Sequence, residues 1–400
     1  MITECVHMKK QKYRINFINA SYVRFYAKHR TKILGAIDRC YKNGDFVLRR
    51  ELALFEKNLA KFVGSKYCYG VGSGTDALKI SYKALGLKSG DEVITVSHVF
   101  IAPIQEIVHL GATPVLIDVG EDGLMDPDLI EKAITKKTVG IVPVHLSGKV
   151  CDMTRIMAIA RKYKLWVVED ACQALGAKHK GRQAGSFGDT GCFSHIAPKT
   201  LGVGGDGGSI VTNNKALATK INLLRNHWNI TQGVLHGHQP KQPKVMDWGF
   251  NSRLDNIHAA VLDIKLKLYP AILKRRREIG MQYNRWLKVL EDAGYINLPI
   301  QQKEQIYQEY IVKIPDMWKF KKFMDKQGIE LLIRDTTPNH KLKGLDLEHF
   351  KLPITESLAT SSVRLPTYPE LRDDEVNKII VAMFKFFKVK GDKINIPSVA

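Results

Sequence analysis

Hydrophobic residues recur at helical spacing near the start of the chain. Leu52, Phe55 and Leu59 lie three to four residues apart, which predicts an amphipathic helix over residues 51–62. A further helix is expected around 26–41, within a basic and weakly periodic stretch. We therefore expect residues 1–50 to form an arm that packs on a larger domain.

From residue 67 onward, short apolar runs alternate with helical stretches. The runs predict strands at 67–71, 92–96, 114–118, 139–144, 165–168 and 208–212. The stretches between and after them predict helices at 101–110, 127–134, 153–163 and 215–225. This alternation is typical of parallel strands joined by crossover helices, so the fold class is α/β.

Polar residues follow three of these strands. They are Ser97-His-Val-Phe100, His145 and Glu169-Asp-Ala-Cys-Gln173. In an open parallel sheet, ligands bind at the carboxyl ends of the strands. The three groups are therefore candidates for one shared site.

The last third of the chain changes character. A long helical pattern runs through Leu287, with a break expected at Pro270. A strand at 307–314 and helices at 319–327 and 376–387 then indicate a smaller α+β domain. We expect an arm over 1–50, a large domain over 51–250, and a connecting helix with a small domain over 251–400. The polar residues 226–248 are interpreted as a mobile loop.

Charge and cysteine content limit the function classes. The chain has 61 Lys and Arg against 40 Asp and Glu, a net charge of +21, which favours anionic partners. The basic residues are spread out and no aromatic-interleaved basic tract occurs, so we expect no nucleic-acid partner. No apolar run approaches a membrane span, and the six cysteines lack framework spacing, so a reduced, cytoplasmic protein is expected. No His or Cys cluster has metal-ligand spacing, and no metal is expected.

A glycine loop opens the helix that follows the first predicted strand. Gly72-Ser-Gly-Thr-Asp runs directly into a helical pattern that continues to Leu85. The unpaired N–H groups of a first helical turn bind anions such as phosphate. A tight turn capped by Thr75 or Asp76 is the alternative reading. The carboxyl-end residues of the neighbouring strands favour the phosphate reading.

A single lysine, Lys199, lies in the glycine-rich stretch 190–208. Alone, a lysine after a proline is typical of a solvated surface residue. A pyridoxal phosphate (PLP) site, however, needs an amine to hold the aldehyde, a carboxylate at the pyridine nitrogen, phosphate donors and an aromatic ring cover. The chain offers one candidate for each role: Lys199, Asp170, the amides of Gly74, Thr75 and Asp76 with Ser194, and Phe100, with Gly205–Gly208 allowing close approach.

Several motifs in the same order resemble the DegT/DnrJ/EryC/StrS group of sugar aminotransferases. They are Gly72-Ser-Gly-Thr-Asp-Ala-Leu, Gly111-Ala-Thr-Pro-Val, Pro143-Val-His-Leu, Glu169-Asp-Ala-Cys-Gln-Ala, Cys192-Phe-Ser with Lys199 and Gly205-Asp-Gly-Gly, Phe250-Asn-Ser-Arg-Leu-Asp, and Leu365-Pro-Thr-Tyr-Pro-Glu-Leu. The resemblance covers residues 44 to 385. It implies an aspartate aminotransferase-type fold, with a mostly parallel seven-stranded sheet flanked by helices and a smaller C-terminal α+β domain.

The resemblance also implies residue roles. Lys199 would carry PLP and move the proton, and Asp170 would pair with the pyridine nitrogen. Gln173 would touch the ring hydroxyl and Phe100 would cover the ring. The expected phosphate ligands are Gly74, Thr75, Asp76, Ser194 and, from the partner subunit of a homodimer, Asn251. Four further residues are candidate substrate contacts, although a lone histidine near a strand end is more often a satisfied polar neighbour: His145, His195, Arg253 and His340.

The implied reaction is transfer of an amine from an amino acid, expected to be L-glutamate, to a keto-sugar, with the cofactor cycling through pyridoxamine phosphate. A nucleotide-linked 3-keto-6-deoxyhexose in deoxyamino-sugar biosynthesis is the preferred acceptor. A 4-keto sugar nucleotide of the perosamine or viosamine type, a non-nucleotide keto-sugar and a cyclitol stay open as alternatives. So do a PLP-dependent dehydratase, which the presence of Lys199 disfavours, and a non-catalytic basic binding protein. Two departures from the family pattern are His195-Ile-Ala-Pro before the lysine and Arg49-Arg50.

Overall fold

The computed structural model describes residues 13–17, 19–228, 245 and 247–389. Most of the predicted loop at 226–248 therefore lies outside the described residues. The helices are α1 (Asn19–Asn43), α2 (Arg50–Val63), α3 (Gly74–Ala84), α4 (Ala102–His109), α5 (Ile130–Ala133), α6 (Met153–Tyr163), α7 (Lys215–Leu224), α8 (Asn256–Asp292), α9 (Met317–Lys326), α10 (Pro353–Ser361) and α11 (Asp373–Phe386). Short 3₁₀ turns occupy Pro127–Leu129 and Asn339–Lys341. None of the helices in the described ranges combines the length and the apolar character needed to cross a bilayer.

Seven strands form the central sheet. The strands of the molecule are β1 (Tyr67–Val71), β2 (Glu92–Val96), β3 (Thr113–Ile117), β4 (Thr138–Ile141), β5 (Trp166–Asp170), β6 (Lys178–His179), β7 (Arg182–Gln183), β8 (Thr190–Ser194), β9 (Gly208–Thr212), β10 (Tyr310–Lys313) and β11 (Ser362–Leu365). The order across the sheet is β1-β9-β8-β5-β4-β2-β3. Strand β9 is antiparallel to both of its neighbours, and the other adjacent pairs are parallel. The predicted α/β fold with a mostly parallel seven-stranded sheet is confirmed, and the carboxyl ends of β2, β4, β5 and β8 share one edge.

Most buried apolar residues belong to two separate groups. One surrounds the seven-stranded sheet, and the other joins the second half of α8 to β10, α9, β11 and α11. Helix α8 contributes Leu262 and Leu273 to the first group and Ile279 and Leu287 to the second. The proposed boundary at residue 250 thus falls just before a helix that both parts share.

Helix α8 continues through Pro270, so the expected break at this residue is wrong. A proline inside a helix removes one backbone hydrogen bond. The neighbouring side chains of Leu266, Tyr269 and Ile272 are nevertheless buried in the core around the sheet. We attribute the continuity to this packing on both sides of the proline.

The arm predicted at residues 1–50 contains α1, which packs along α8. Ala36 and Cys40 of α1 are buried against Ala260 of α8. At the other end of the helix, Arg24 forms an ion pair with Glu375 of α11. The arm therefore contacts both the shared helix and the small domain.

The basic run at 274–277 belongs to α8 and is largely used within the fold. Arg275 forms an ion pair with Asp373, and Arg277 donates to the carbonyl of Gln305. Arg276 is buried and donates to backbone carbonyls. Through these contacts, the basic run stabilises the fold.

Candidate active site

A cavity of about 870 Å³ lies at the carboxyl ends of the parallel strands. It is lined by all the predicted cofactor-binding residues except two, namely by Gly74, Thr75, Phe100, Asp170, Gln173, Ser194 and Lys199. These residues are up to 125 positions apart in sequence, and the sheet brings them to one place. Aromatic residues of α1 line the same cavity, a contribution that the sequence did not reveal: Tyr22, Phe25 and Tyr26.

The carboxylate of Asp170 is held at the end of β5. The residue is 7% exposed, its N–H donates to the carbonyl of Pro143, and its carbonyl accepts from the N–H of His145. Its Oδ1 accepts from the backbone N–H of Cys172 at 3.1 Å. Strand pairing and this turn together fix a buried acid in the cavity wall.

The amides at the start of α3 form a second wall. Ser73 caps the helix, and its Oγ accepts from the N–H of Asp76 at 3.0 Å. The amide of Asp76 is thus already used, and this residue does not line the cavity. Ser73, Gly74 and Thr75 do line it, and the N–H groups of the first helical turn lack intrahelical acceptors. The start of α3 therefore has the free N–H groups that an anion site requires, and Ser73 belongs to it although the sequence did not single it out.

Glycine is required where this helix start is packed most closely. A Cβ on Gly74 would lie 2.8 Å from Cβ of Ser194 and 3.0 Å from Sγ of Cys172. A Cβ on Gly208 would lie 2.2 Å from the carbonyl oxygen of Ser73. The contacts at 2.8 and 2.2 Å are shorter than real Cβ atoms adopt, so the backbone at this helix start depends on the absence of side chains here.

We expect Gly208→Ala to lower the free energy of unfolding by about 1–3 kcal/mol, because the new methyl group meets backbone atoms that cannot move aside easily. Urea denaturation followed by circular dichroism measures the change. Gly35→Ala is the matched control: nothing lies within 4 Å of its Cβ, and it is inside α1. The control is expected to stabilise by about 0.5–1 kcal/mol. Equal effects of the two substitutions would contradict the packing explanation.

The loop that carries Lys199 is supported from beneath by His195. This histidine is fully buried, its Nδ1–H donates to the carbonyl of Leu201 at 3.0 Å, and its Nε2 accepts from the hydroxyl of Ser209 at 2.9 Å. Its own N–H and carbonyl are bonded to Gly207 and Val203. The structure therefore places His195 in the support of the lysine loop and not in the cavity.

Burial lowers the pKa of His195 to about 4 from an ordinary value of 6.5. Between these two pH values the unfolded chain binds a proton at this residue and the folded chain does not. The free energy of unfolding is therefore expected to fall as the pH drops from 6.5 to 4, by roughly 1.4 kcal/mol per pH unit from this group at most. Comparing unfolding at several pH values in wild type and His195→Asn isolates the contribution.

In the variant, the decline in stability over this pH range should be shallower than in wild type. His349→Asn, at an exposed position, should leave the wild-type slope unchanged. Parallel pH profiles of wild type and His195→Asn would refute a neutral buried His195.

His145 is also part of the framework. It is fully buried, with Nδ1 accepting from the N–H of Cys151 and Nε2 bonded to Glu169 at 2.9 Å. Since Nδ1 is an acceptor, the proton lies on Nε2 and the ring donates to the carboxylate. Glu169 also accepts from three backbone N–H groups, those of Gly185, Phe187 and Gly188. Both ring nitrogens of His145 are occupied, and the residue does not line the cavity.

His340 and Asn339 connect the small domain to the loop after β2. His340 is buried and bonds to Oγ of Ser97 at 2.8 Å and to Glu356 at 3.1 Å. Asn339 donates to the carbonyls of Ser97 and Val99 at 3.0 and 2.8 Å. This loop ends at Phe100, which is 68% exposed and lines the cavity. The two residues thus position the predicted ring cover.

The remaining two predicted residues lie away from the cavity of this chain. Asn251 is exposed, and Arg253 donates to Oδ1 of Asn226 at 2.8 Å. Neither lines the cavity, whereas Lys265, which the sequence reading overlooked, does. Lys265 donates to the carbonyl of Gly202 in the lysine loop, and burial lowers its pKa to about 8.

A smaller cavity of about 430 Å³ adjoins the first one. Phe100, Gln173, Lys199 and Arg334 line both. Charged residues of the small domain form its far wall, and nothing in their sequence spacing indicated that they meet: Arg334, Asp335 and Arg364.

Known protein families and solved structures match this chain over most of its length. The model of the DegT/DnrJ/EryC1/StrS aminotransferase family matches residues 28–384. The chain belongs to this family. It is 35% identical to a dTDP-3-amino-3,4,6-trideoxy-alpha-D-glucose transaminase of Micromonospora megalomicea subsp. nigra, over 91% of this chain and 96% of that one.

Two further family relatives bear on the chemistry. A 3-oxo-glucose-6-phosphate:glutamate aminotransferase of Bacillus subtilis is 32% identical over 89% of this chain and 80% of its own length. The crystal structure of NtdA from Bacillus subtilis, with the cofactor PMP bound, is similar to this chain with a TM-score of 0.83 at 31% identity, covering 90% of this chain and 82% of that one. The family membership and the fold thus agree with the expectation from the motifs.

Proposed function

We propose that this family member is a PLP-dependent aminotransferase that moves an amine from L-glutamate to a nucleotide-linked 3-keto-sugar. One observation carries the proposal: Lys199, Asp170 and the amino end of α3 line a single cavity. An amine, a buried carboxylate and an anion site are the three groups that this cofactor requires. The dehydratase and binding-protein alternatives have no comparable observation in their favour.

The residues present fit the cofactor. Gly74 and Gly208 allow the backbone to pack closely at the amino end of α3, where unpaired N–H groups suit a phosphate. Gly74, Thr75 and Ser194 would hold this phosphate, together with Ser73. Asp170 would face the ring nitrogen, and Lys199 would hold the aldehyde carbon. PMP in the related NtdA structure supports the same cofactor here.

When bound, PLP supplies an electron sink for the carbon that gains or loses the amine. The negative charge of Asp170 would keep a proton on the ring nitrogen, which maintains that sink. Nζ of Lys199 would take the proton from the donor carbon and return it during amination of the acceptor. Phe100 would restrict the ring from one side and exclude water there.

The nature of the two substrates is proposed from the named relatives. One relative is named as a dTDP-3-amino-sugar transaminase, which supports a 3-keto sugar nucleotide, and another is named as glutamate-dependent. The net charge of +21 also suits a substrate that carries a diphosphate. A phosphorylated keto-sugar without a nucleotide is the second candidate, because the glutamate-dependent relative is named for one.

A homodimer belongs to this proposal. Asn251 is exposed and outside the cavity of its own chain, as expected for a residue that serves the partner's phosphate. Large apolar side chains are exposed in the single chain, which supports a covering second copy: Val23 at 66%, Tyr41 at 64%, Phe100 at 68% and Trp248 at 87%. Light scattering on the purified protein tests the dimer.

A panel of acceptors tests the function. The purified protein is incubated with PLP, L-glutamate and one acceptor, and 2-oxoglutarate and aminated sugar are quantified together. The acceptors are a 3-keto and a 4-keto dTDP-6-deoxyhexose, and 3-oxo-glucose 6-phosphate. The proposal expects equal amounts of both products with the 3-keto nucleotide and at least a tenfold lower kcat/KM with the others. Preference for another acceptor overturns the sugar assignment, and 2-oxoglutarate without aminated sugar overturns the transfer itself.

A further inference from the structure

The side chain of Gln308 is bonded to the backbone on both sides of Lys199. Its Oε1 accepts from the N–H of Thr200 at 3.0 Å, and its Nε2 donates to the carbonyl of Pro198 at 3.1 Å. These partners lie 108 and 110 positions away in sequence. Among the described residues, Gln308 is the side chain that bonds to both neighbours of the lysine.

This pair of bonds restricts the backbone at the lysine. A glutamine amide has an acceptor oxygen and N–H donors, so it can bond to a peptide segment as a neighbouring strand would. The N–H of Lys199 itself donates to the carbonyl of Ile196 at 2.9 Å. Together these bonds fix the direction in which the lysine side chain leaves the backbone, while its long stem stays free to move.

The backbone of Gln308 is fixed in turn by two other parts of the large domain. Arg276 of α8 is buried, and its Nη1 donates to the carbonyls of Tyr307 and Gln308 at 3.0 and 3.2 Å. On the other side, Gly148 packs against the segment so closely that a Cβ there would lie 2.6 Å from the backbone nitrogen of Gln308. The amide of Gln308 therefore extends from a rigid base.

The residue just before Gln308 has an unusual backbone. Tyr307 has a φ of +50°, a left-handed conformation that bulky side chains rarely adopt. Its hydroxyl donates to Oε1 of Gln301 at 2.5 Å and accepts from Nδ2 of Asn284 at 3.0 Å, which keeps the ring in place. Strained backbone of this kind persists where the surroundings enforce it, and it clusters at functional sites. Here it turns the chain toward the lysine loop.

We propose that Gln308 is a positioning residue for the reaction: it holds the backbone on both sides of Lys199 so that Nζ reaches the reacting carbon. The role rests on the proposed function in one respect, since Lys199 must be the lysine that carries the cofactor. Gln308 also lines the main cavity, so direct contact with a substrate is the competing role. Its oxygen and one of its N–H groups are already used within the chain, which favours support of the lysine.

The chain contains a matched control for this glutamine. Gln302 makes the same pair of bonds, to the N–H and the carbonyl of Val150, each at 2.9 Å, and does not line the cavity. Gln308→Met and Gln302→Met each remove two amide hydrogen bonds and keep a side chain of similar length. Losses of stability should therefore be alike in the two variants, and effects on the lysine should differ.

Hydrogen exchange tests the contact without relying on activity. In the full-length protein, loaded with PLP or free of it, the N–H of Thr200 should exchange about tenfold faster or more in Gln308→Met, because its acceptor is lost. In Gln302→Met the exchange of this N–H should match wild type. Nuclear magnetic resonance or mass spectrometry of the exchanged protein provides the rates.

The donor half-reaction tests the consequence. The PLP-loaded enzyme is mixed with L-glutamate, and the change in cofactor absorbance is followed without any sugar. Gln308→Met should lower the maximal rate by about 10- to 100-fold, because a misplaced reacting group costs rate. The half-saturating glutamate concentration should stay within about twofold of wild type. Gln308→Glu keeps the acceptor for Thr200 but loses the donor to Pro198, so its rate should lie between those of wild type and Gln308→Met.

Three outcomes would overturn the role of Gln308. One is a maximal rate of Gln308→Met within threefold of wild type. Another is a higher half-saturating glutamate concentration at an unchanged maximal rate, which would make Gln308 a substrate contact. The third is an equal loss of rate in Gln302→Met, which would indicate a general effect of stability. Failure of the proposed function looks different, because wild type itself would then show no absorbance change with glutamate.

Discussion

Lys199→Ala is expected to lower the transamination rate by roughly 10³- to 10⁶-fold, because the variant loses both the covalent hold on PLP and the group that moves the proton. The fold should be unaffected: the side chain is only partly buried, and the Lys199 N–H bond to the carbonyl of Ile196 involves the backbone alone. The decisive measurement is the visible spectrum after PLP is added and free cofactor removed. The yellow absorbance of lysine-bound cofactor should be missing.

Two companion variants sharpen this result. Lys199→Arg keeps a positive charge but cannot hold the aldehyde in the same way, and it should be as inactive as the alanine variant. Lys162→Ala, which removes an exposed ion pair with Glu131, should retain wild-type rate and colour. A wild-type spectrum in Lys199→Ala would disprove the assignment of this lysine.

Asp170→Asn is expected to reduce kcat by on the order of 10²- to 10³-fold, the usual cost of losing one preorganised electrostatic contact at a reacting group. The asparagine side chain has nearly the same shape and can still accept from the N–H of Cys172. The backbone bonds that hold the residue at the end of β5 do not involve the carboxylate. The substitution therefore removes the charge and leaves the structure.

The readout separates binding from chemistry. Asp170→Asn should still take up PLP and turn yellow, because Lys199 and the amino end of α3 are intact, while the rate of the glutamate half-reaction falls. Asp128→Asn, at an exposed position, serves as a control of equal chemical change. A rate within threefold of wild type would show that Asp170 does not support the cofactor ring electrostatically.

Much of the central sheet could be predicted from local pattern. The predicted strands at 67–71, 92–96 and 208–212 and the helix at 153–163 have the same bounds in the structure. Each is an apolar or periodic segment between clear turn residues, so local sequence suffices. The rule that ligands bind at strand carboxyl ends then placed Phe100, Asp170 and Gln173 correctly around one cavity.

The three histidines show where such reasoning stops. His145, His195 and His340 follow strands or lie near site motifs, and in sequence they resemble residues that face a ligand. In the structure each is fully buried, with both ring nitrogens bonded to groups of the chain. Burial and partners are properties of packing, and no local pattern contains them.

By itself, the sequence determined the α/β class, the strands and helices around the sheet, and the lysine, acid and glycine loop that suit PLP. It did so because periodicity and turn chemistry are local. Only the tertiary structure decided the antiparallel position of β9, the passage of α8 through Pro270, and the meeting of Gln308 with both neighbours of Lys199. These features depend on which distant segments pack together, and long-range burial outweighs the preferences of single residues.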